Sequence, residues 1–476
     1  MSEIKIDEVA VEAYTYLYPL VVMEVTRRQI LSLNAAKYGP ENLFIHNRSM
    51  ANEKWRSVAR TNIDTLFSSA WIDLSDGPAF MTLPPAGDRY HMFQMLDMWT
   101  DTYAVIGSRT IGSNGVRAKI VGPGWYNESN DDADVLIMCP TSTTWVIGRT
   151  YAQAGDDIEG ARAFLDGSIF TASTEQFTSR NPMGDEVNVK TPPVAQVDAL
   201  TPEQFFELAS ALLLREGPHT TDGSVQLRMR SIGFEFRSQF DFSRQSKEIQ
   251  AALTAAPTSA RALMRDSRAG KDFPSWTTSS GNIGYYGNNY VRRALIARFG
   301  LAANPPEDAV YVSSTGDTNG EPLQGSDTYV LHFASGELPP AESFWSVTAY
   351  DREGMLMAND LRRFGIRSRD NIEFNDDGSL DVYLGPQCPA ISPESNWIPT
   401  LAGVIDLSIR LYTPMKKFRD GNWSPPVIQK NQLTAAAANL SRVISMLARL
   451  CVARFETPLT SLPKKSAHEA RWSSQL

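Results

Sequence analysis

The chain has 476 residues, of which 42% are hydrophobic and 21% charged, and it carries a formal net charge of -9 with a pI near 5.3. This length exceeds one ordinary hydrophobic core, so it predicts two or three domains of a soluble globular protein. The acidic balance argues against nucleic acid and an anionic membrane as partners, because both require a basic contact surface.

The N-terminus favours an intracellular protein. The stretch MSEIKIDEVAVEAY is acidic and lacks the basic region and apolar run of an export signal. Residues 14–25 are the most apolar early segment, but they include Pro19 and Glu24 and are too short to span a bilayer. Cys139, Cys388 and Cys451 lie too far apart to form a disulfide framework. We therefore predict a cytoplasmic location.

The elements alternate between helical and β-rich blocks along the chain. The pattern predicts a helix over 6–37 with a kink at Pro19, and short apolar runs over 79–149 predict a mostly antiparallel β domain. A second β block is predicted over 309–411. Further helices are predicted over 156–172, 201–216, 224–239, 245–266 and 288–299. Thr201, Pro202 and Glu203 together form a helix-start signature.

The predicted fold class is mainly β with helices, α+β, containing two β-sandwich or jelly-roll-like modules joined and flanked by helices. The predicted domains are a helical segment at 1–39, β-rich modules at 40–175 and 286–428, a linker and helical region at 176–285, and a helical then disordered tail at 429–476.

Signatures of the common cofactor and hydrolase classes are absent from the sequence. There is no GxSxG, HExxH, Walker loop or GxGxxG, and the five histidines are never paired at metal-ligand spacing. We therefore predict no cofactor and no metal from motifs. A divalent cation such as Ca²⁺ held by Asp97 and Asp101 stays as an alternative.

Charged residues cluster in the aromatic stretch at 84–125. A strand there directs Arg89, His91 and Asp97 to one side, because side chains alternate with a period of two. Buried charges must be paired or functional, since stripping their water costs several kcal/mol. This side therefore suits either a ligand cavity or a structural ion-pair network.

Two neighbouring motifs extend this cluster. Asn62 and Asp64 form either a capped turn or a cleft carboxylate with its orienting amide. Arg109, between glycines that allow close backbone approach, either clamps a substrate carboxylate or pairs with Asp97 or Asp101.

In the second half, aromatic residues and one arginine stand out. Trp345, Tyr350 and Trp397 favour core positions over a ligand cage. Arg410 lies among apolar neighbours on a strand and therefore needs a partner; structural pairing is favoured.

The chain resembles a two-module family at several long motifs. NIDTLFSSAWIDLSDGP, DRYHMFQMLDMWTDTYAVIGSRTIG and GPGW resemble domain of unknown function 1254. GLAANPPEDAVYVSSTGDTNGEPLQGSDTYVLHF, ELPPAESFWSVTAYD, DGSLDVYLG, NWIPTLAGVIDLSIRLYTP and DGNWSPP resemble its partner, domain of unknown function 1214. The resemblance covers about 40–426 and implies two β-sandwich or jelly-roll-like modules with helices between and around them. Many relatives look exported, and the family has no common activity that transfers residue by residue.

The leading functional hypothesis is an enzyme acting on a small organic metabolite by acid/base chemistry, of the hydrolase or lyase type. Asp97 or Asp101 serves as acid or base and Arg109 as anion clamp. Predicted substrate contacts come from Asn62, Asp64, Arg89, His91, Trp99 and Trp397.

The alternative is a non-catalytic glycan- or partner-binding protein that uses exposed rings such as Trp99, Trp125 and Trp397. A small-molecule substrate is the predicted partner, and a homo-oligomer is possible.

Overall fold

The structure is a computed structural model that describes residues 5–32, 41–56, 59–126, 132–153, 157–172, 187–267, 270–279 and 282–431. The predicted tail helix and disordered end lie outside the described residues, as does much of the predicted linker near 180. Within the described residues the chain is of the α+β class, with helices beside four mostly antiparallel sheets.

The first element is the helix α1, Ile6–Leu31, which continues through Pro19. Residues 9–10 and 13–24 of this helix are buried, so most of its length is covered on all sides, as expected for a helix inside a larger core. It ends before the predicted boundary at 37, and residues 33–40 lie outside the described part of the chain.

The first sandwich contains two sheets, with strand orders β1-β2-β8-β4-β5 and β7-β6-β3-β9. Its elements are β1 (Ile45–Asn47), β2 (Thr65–Asp73), β3 (Ala79–Leu83), β4 (His91–Asp97), β5 (Thr102–Gly107), α2 (Ser108–Ile111), β6 (Val116–Val121), β7 (Val135–Met138), β8 (Thr143–Tyr151), α3 (Asp157–Gly167) and β9 (Ile169–Ala172). The helix predicted over 156–172 therefore ends at Gly167. The last four residues instead form a strand that pairs with β3.

The two sheets pack face to face through alternate residues. Leu66, Ala70 and Ile72 of β2 meet Met81 of β3 and Ala118 of β6 in one core. The other face of the five-stranded sheet points away from this core, and this outer face determines where the candidate site lies.

A helical layer covers one end of that outer face. It consists of α1 with α4 (Pro193–Ala199), α5 (Pro202–Glu216), α6 (Gly223–Met229), α7 (Lys247–Asp266) and α8 (Tyr290–Phe299). The predicted start of α5 is confirmed, because the Thr201 hydroxyl accepts a hydrogen bond from the Gln204 backbone N–H. Trp71 and Trp145 of the sandwich pack into the helical core with their rings stacked 4.9 Å apart.

The second sandwich pairs a six-stranded sheet, β10-β11-β12-β18-β14-β15, with a four-stranded sheet, β17-β16-β13-β19. Its elements are β10 (Gly270–Phe273), β11 (Trp276–Ser279), β12 (Ala309–Ser314), β13 (Tyr329–Phe333), β14 (Ala341–Asp351), β15 (Gly365–Arg367), β16 (Leu380–Gly385), β17 (Trp397–Pro399), β18 (Ile405–Pro414), α9 (Lys416–Arg419) and β19 (Ile428–Lys430). Strands β10 and β11 lie in the region predicted as linker and helix.

The two sandwiches meet through the outer faces of their larger sheets. Tyr90 and Tyr151 of the first sandwich contact Phe344 and Tyr412 of the second in an aromatic cluster. Among the described helices, none is long and apolar enough to cross a membrane.

Candidate functional site

A cavity of about 680 Å³ lies between the outer faces of the two larger sheets. We call it the inter-sandwich cavity. This volume lies within the usual range for small-molecule sites. Its lining consists of Ile30, Ile45, His46, Asn47, Ser49, Ala51, Trp55, Arg60, Thr61, Asn62, Thr65, Phe67, Ser69, Trp145, Arg149, Tyr311, Ser313, Ser408 and Arg410.

Strand alternation explains why these side chains face the cavity. In β8 the residue Val146 enters the sandwich core, so Trp145 and Arg149 face outward. In β18 the residue Ile409 is in the second core, so its neighbour Arg410 points to the opposite face. Each sandwich therefore contributes an apolar inner face and a mixed outer face.

Arg149 is the least satisfied charged group of the lining. Its Nε is buried and has no hydrogen-bond partner, and no carboxylate of the described residues forms an ion pair with it. The preceding Gly148 packs so closely that a Cβ there would lie 2.5 Å from the Phe93 ring. This packing fixes the backbone from which Arg149 extends.

Arg410 is 3% exposed, and its hydrogen bonds go to neutral groups. Its guanidinium donates to the Thr348 hydroxyl at 3.0 Å, the Tyr350 hydroxyl at 2.6 Å and the Arg60 carbonyl at 2.9 Å. The predicted structural pairing of Arg410 is therefore confirmed as hydrogen bonding, while its charge has no carboxylate partner among the described residues.

Arg60 and Asn62 belong to the loop between β1 and β2, which contacts the second sandwich beside the cavity. The Arg60 guanidinium pairs with Asp406 and also donates to the Ser313 hydroxyl at 2.9 Å. The Asn62 side chain accepts from the Asp64 backbone N–H, as a capped turn requires, and donates to the Tyr412 hydroxyl at 2.8 Å. Asn62 is thus both the predicted turn residue and a lining residue.

His46 is the titratable imidazole of the lining. Burial lowers its pKa, so the ring is neutral near pH 7. Its Nδ1 lies 2.8 Å from the Ser68 hydroxyl and its Nε2 lies 3.2 Å from the Ser168 carbonyl. His46 therefore adds no positive charge to the cavity at neutral pH.

A second cavity, of about 540 Å³, lies beside the start of α1. The charged groups on its wall are paired with one another, Lys5 with Glu8 and Arg228 with Glu12. It therefore offers a ligand less unsatisfied charge than the inter-sandwich cavity does.

Asp97 and Asp101, the predicted acid/base pair, lie in a different place at the end of β4. The buried Asp97 carboxylate accepts from the Trp99 and Asp101 backbone N–H groups and lies 2.6 Å from His219 Nε2. Asp101 lies 2.7 Å from the fully buried guanidinium of Arg293. These four side chains form a network of ion pairs outside the inter-sandwich cavity, in which Asp101 Oδ2 and the Nε and Nη1 atoms of Arg293 are buried without a hydrogen-bond partner. A catalytic role for Asp97 and Asp101 stays a prediction.

The same network contains the ligand atoms that a cation would need. Ligand atoms of Asp97, Asp101 and His219 lie within 4.8 Å of one another. The Arg293 guanidinium, however, already supplies a positive charge to this cluster. A Ca²⁺ site there would therefore place two cations side by side.

Arg109 and Asp64 contact the second sandwich, so the expected pairing of Arg109 with Asp97 or Asp101 is wrong. Arg109 binds Asp308 through two hydrogen bonds of 2.8 and 2.9 Å. The Asp64 carboxylate is fully buried and accepts from Ser346, Tyr412 and Arg367. The cleft position expected for Asp64 is also wrong, because its oxygens are used inside the interface.

Arg89 and His91 lie on the inner side of the first sandwich and do not line the inter-sandwich cavity. Arg89 pairs with Asp157 at 2.7 Å and donates to the Tyr151 carbonyl. His91 is buried 5.2 Å from the Phe164 ring, and burial lowers its pKa. The strand face predicted as a ligand cavity or ion-pair network is instead mostly the sandwich core.

The predicted aromatic contact residues are also used internally. Trp99 is fully buried, stacks on Tyr16 at 4.6 Å and donates to the Gly217 carbonyl. Trp397 is half-buried and donates to the Gly385 carbonyl. An open platform containing Trp99 is therefore excluded, and neither ring lines the inter-sandwich cavity.

Sequence reasoning missed Arg149, Trp55, His219 and Arg293. A signal for Arg149 was present, because in TTWVIGRTY it follows Trp145 and Ile147 with the spacing of one strand face. His219 and Arg293 gave no such signal, since each lies over a hundred residues from the acids that it contacts.

Two sandwiches with a ligand-sized cavity between their larger sheets define a two-module β-sandwich protein of the α+β class. Residues 41–172 match the model of the protein of unknown function DUF1254, and residues 308–416 match that of DUF1214. Together these matches span just over half of the chain, and the chain belongs to the family that combines the two domains. No curated protein matches the chain.

A solved structure supports the architecture. The VPA0106 protein from Vibrio parahaemolyticus superimposes with a TM-score of 0.70 at 21% identity, covering 90% of this chain and 100% of that one. At this identity the likeness concerns the fold alone. An uncharacterised protein from Burkholderia cenocepacia aligns over 88% of both chains at 12% identity, with a TM-score of 0.41.

Proposed function

We propose that this protein binds a small organic molecule in the inter-sandwich cavity. The observation that carries the proposal is the cavity itself, about 680 Å³ in volume and lined by aromatic rings and polar side chains from both sandwiches. Such a mixture is typical of ligand sites, where apolar surface supplies affinity and a few polar groups fix orientation.

The interface around the cavity supports a pre-formed site. Ion pairs of Arg60 with Asp406 and Arg109 with Asp308 connect the two sandwiches. Arg367 also reaches across to Asp64. Binding a ligand between surfaces that are already held together requires little ordering of the protein, which favours affinity.

Binding is the function that the geometry favours over acid/base catalysis. None of the described lining residues is an aspartate or glutamate, and Asp97 and Asp101 lie elsewhere. Turnover of the bound molecule by a hydrolase or lyase reaction stays a prediction, as do the cytoplasmic location and the possible homo-oligomer.

The test is a fragment screen by thermal shift on the full chain, followed by titration of intrinsic fluorescence. Trp55 and Trp145 line the cavity, so an occupant changes their emission. A ligand at about 100 times its Kd raises stability by about 2.7 kcal/mol. We expect Ala51→Trp, which fills the cavity, to abolish binding.

The matched control is Ala255→Trp, on the exposed face of α7, which should bind like the unmodified protein. Equal binding by the A51W and A255W variants would place the ligand elsewhere and overturn the proposal. A screen in which no fragment stabilises the protein or changes its fluorescence would overturn it as well.

A further inference from the structure

We infer that the ligand of the inter-sandwich cavity is an organic carboxylate, bound at its acid group by Arg149 and Arg410. This inference rests on the proposed binding function and specifies the class of the bound molecule. It follows from two arginines of the cavity wall that form no ion pair with a carboxylate of the described residues.

Arg149 and Arg410 line the inter-sandwich cavity and have no carboxylate partner among the described residues. Three other arginines of the interface pair with an acid: Arg60 with Asp406, Arg109 with Asp308 and Arg367 with Asp64. Arg369 also contacts the first sandwich without forming an ion pair, but it is exposed to water. The unpaired guanidinium groups that face a cavity are therefore those of Arg149 and Arg410.

A buried cation without a counter-ion is costly unless a ligand supplies the negative charge. Arg410 is 3% exposed, and its direct hydrogen bonds go to neutral hydroxyl and carbonyl oxygens, while the charge of Asp64, which is itself paired with Arg367, acts on it without a direct contact. The rings of Tyr311 and Tyr350, at 5.4 and 5.7 Å from its Cζ, add a weaker attraction. Arg149 keeps a buried Nε–H with no acceptor. An arriving anion would provide that acceptor.

The other polar groups of the wall add no negative charge. They are hydroxyls, amides and a histidine whose pKa is lowered by burial. Two acids lie next to lining residues, and both are already paired: Asp406 with Arg60 and Asp64 with Arg367. The described lining therefore carries positive charge at Arg149 and Arg410 and no acidic side chain.

The form of the site favours a carboxylate over a phosphoryl group. Phosphate sites commonly use backbone N–H groups of glycine-rich loops and helix N-termini. Here much of the wall is formed by the strands β1, β2, β8, β12 and β18, whose backbones pair with neighbouring strands. The donor left without an acceptor is the Arg149 Nε–H, and a guanidinium can bind the two oxygens of a carboxylate side by side.

The rest of the cavity suits an apolar body. Its apolar lining comes from both sandwiches, from the loop between β1 and β2, and from the end of α1. The residues are Ile30, Ile45, Trp55, Phe67, Trp145 and Tyr311. A flat or branched hydrocarbon portion would bury its surface against these side chains. An aromatic or branched aliphatic acid fits this combination of walls.

The experiment compares matched pairs of probes by calorimetric titration of the full chain at pH 7.5. Each pair consists of an acid and its primary carboxamide, for example 2-naphthoate and 2-naphthamide, across a set of aromatic and branched aliphatic acids. Shape is nearly constant within a pair, so the difference reports the charge. We expect acids to bind at least tenfold more tightly than their amides.

Substitutions of arginine test whether the acid group binds at Arg149. Arg149→Met should weaken the acid by tenfold or more and leave the amide unchanged, while Arg149→Lys should recover part of the loss. Arg244→Met, at an exposed arginine outside the cavity, is the matched control and should bind like the unmodified protein.

The two proposals fail in different ways. Amides that bind as tightly as acids, or acids unaffected by R149M, would overturn the carboxylate assignment while the cavity remains a binding site. An absence of binding by every acid and every amide would overturn both proposals.

Discussion

Arg109 of the first sandwich binds Asp308 of the second through two parallel hydrogen bonds, from Nε at 2.8 Å and from Nη2 at 2.9 Å. The pair is asymmetric, because the Asp308 side chain is 3% exposed whereas that of Arg109 is 32% exposed. Burial raises the pKa of Asp308, and the Arg109 charge opposes that rise. The carboxylate therefore depends on its partner more than the guanidinium does.

This asymmetry predicts unequal effects of the two substitutions. Arg109→Met leaves a buried carboxylate without its cation and should lower the free energy of unfolding by about 3 kcal/mol. Asp308→Asn leaves a guanidinium that still reaches water, so it should cost about 1 kcal/mol. Urea unfolding at pH 7 measures both, with Asp166→Asn in an exposed pair as control. Equal losses from the R109M and D308N variants would contradict the argument.

Much of the fold follows from sequence periodicity and turn chemistry. The capped start of α5 at Thr201 and the β-rich character of both modules were predicted from local patterns. The strand β9 at Ile169–Ala172 was not, because it is a strand through its pairing with β3. Strand β11 likewise pairs with β12, which is distant along the chain, and β10 joins the sheet through β11.

Most of the candidate site could not be predicted from the sequence either, because its residues come together through contacts between distant segments. The sequence marked Arg410 as needing a partner and Asn62 as a turn residue, and both line the inter-sandwich cavity. The charged residues of the 84–125 stretch predicted a site because many of them lie close together in the sequence. Their number does not show which of them are already paired with one another in the fold. Strand spacing places Arg149 on the same face as Trp145, but which carboxylates are already paired depends on contacts between distant segments.

Arg149 should reduce the stability of the ligand-free protein. Its buried Nε–H lacks an acceptor, so Arg149→Met replaces an uncompensated donor with an apolar chain of similar length. We expect the ligand-free variant to gain about 1 kcal/mol in free energy of unfolding. Residues of binding sites are often kept for function at a cost in stability. Thermal and urea unfolding measure the change, with Arg244→Met as the surface control. A loss of stability in the variant would argue that Arg149 has a structural role.

The buried carboxylate of Glu24 should make the stability of the helical layer fall at acid pH. Burial raises the pKa of this carboxyl, but hydrogen bonds and charges of Arg27 and Arg215 outweigh burial and lower the pKa to about 2. Because the folded pKa lies below the ordinary value of 4.5, the stabilisation is present above pH 4.5 and is lost as the pH falls towards 2.

Glu24→Gln should therefore cost about 3 kcal/mol at pH 7, since it removes the buried charge shared by Arg27 and Arg215, which keep only Glu41 and Glu216 as partners. The difference from the unmodified protein should shrink between pH 4.5 and 2. Urea unfolding across that range measures it, and Glu8→Gln, in an exposed pair with Lys5, should change stability little at any pH. A pH-independent difference would show that packing rather than charge accounts for the loss.

His219 connects the helical layer to Asp97. Its protonation should make stability fall as the pH rises, the opposite of the dependence expected from Glu24. Burial disfavours the imidazolium, yet the hydrogen bond and charge of Asp97 outweigh it and raise the pKa, while Asp101 adds to the rise and Arg293 opposes it. A raised folded pKa means that this stabilisation is complete below pH 6.5 and is lost as the pH rises through the folded value.

His219→Gln keeps a donor towards Asp97 but does not titrate, so it should remove this fall in stability between pH 6 and 8. Urea unfolding at both pH values gives the slope, and His332→Gln, at a half-exposed histidine, is the matched control. Identical slopes for the H219Q variant and the unmodified protein would mean that the Asp97–His219 bond does not couple protonation to folding.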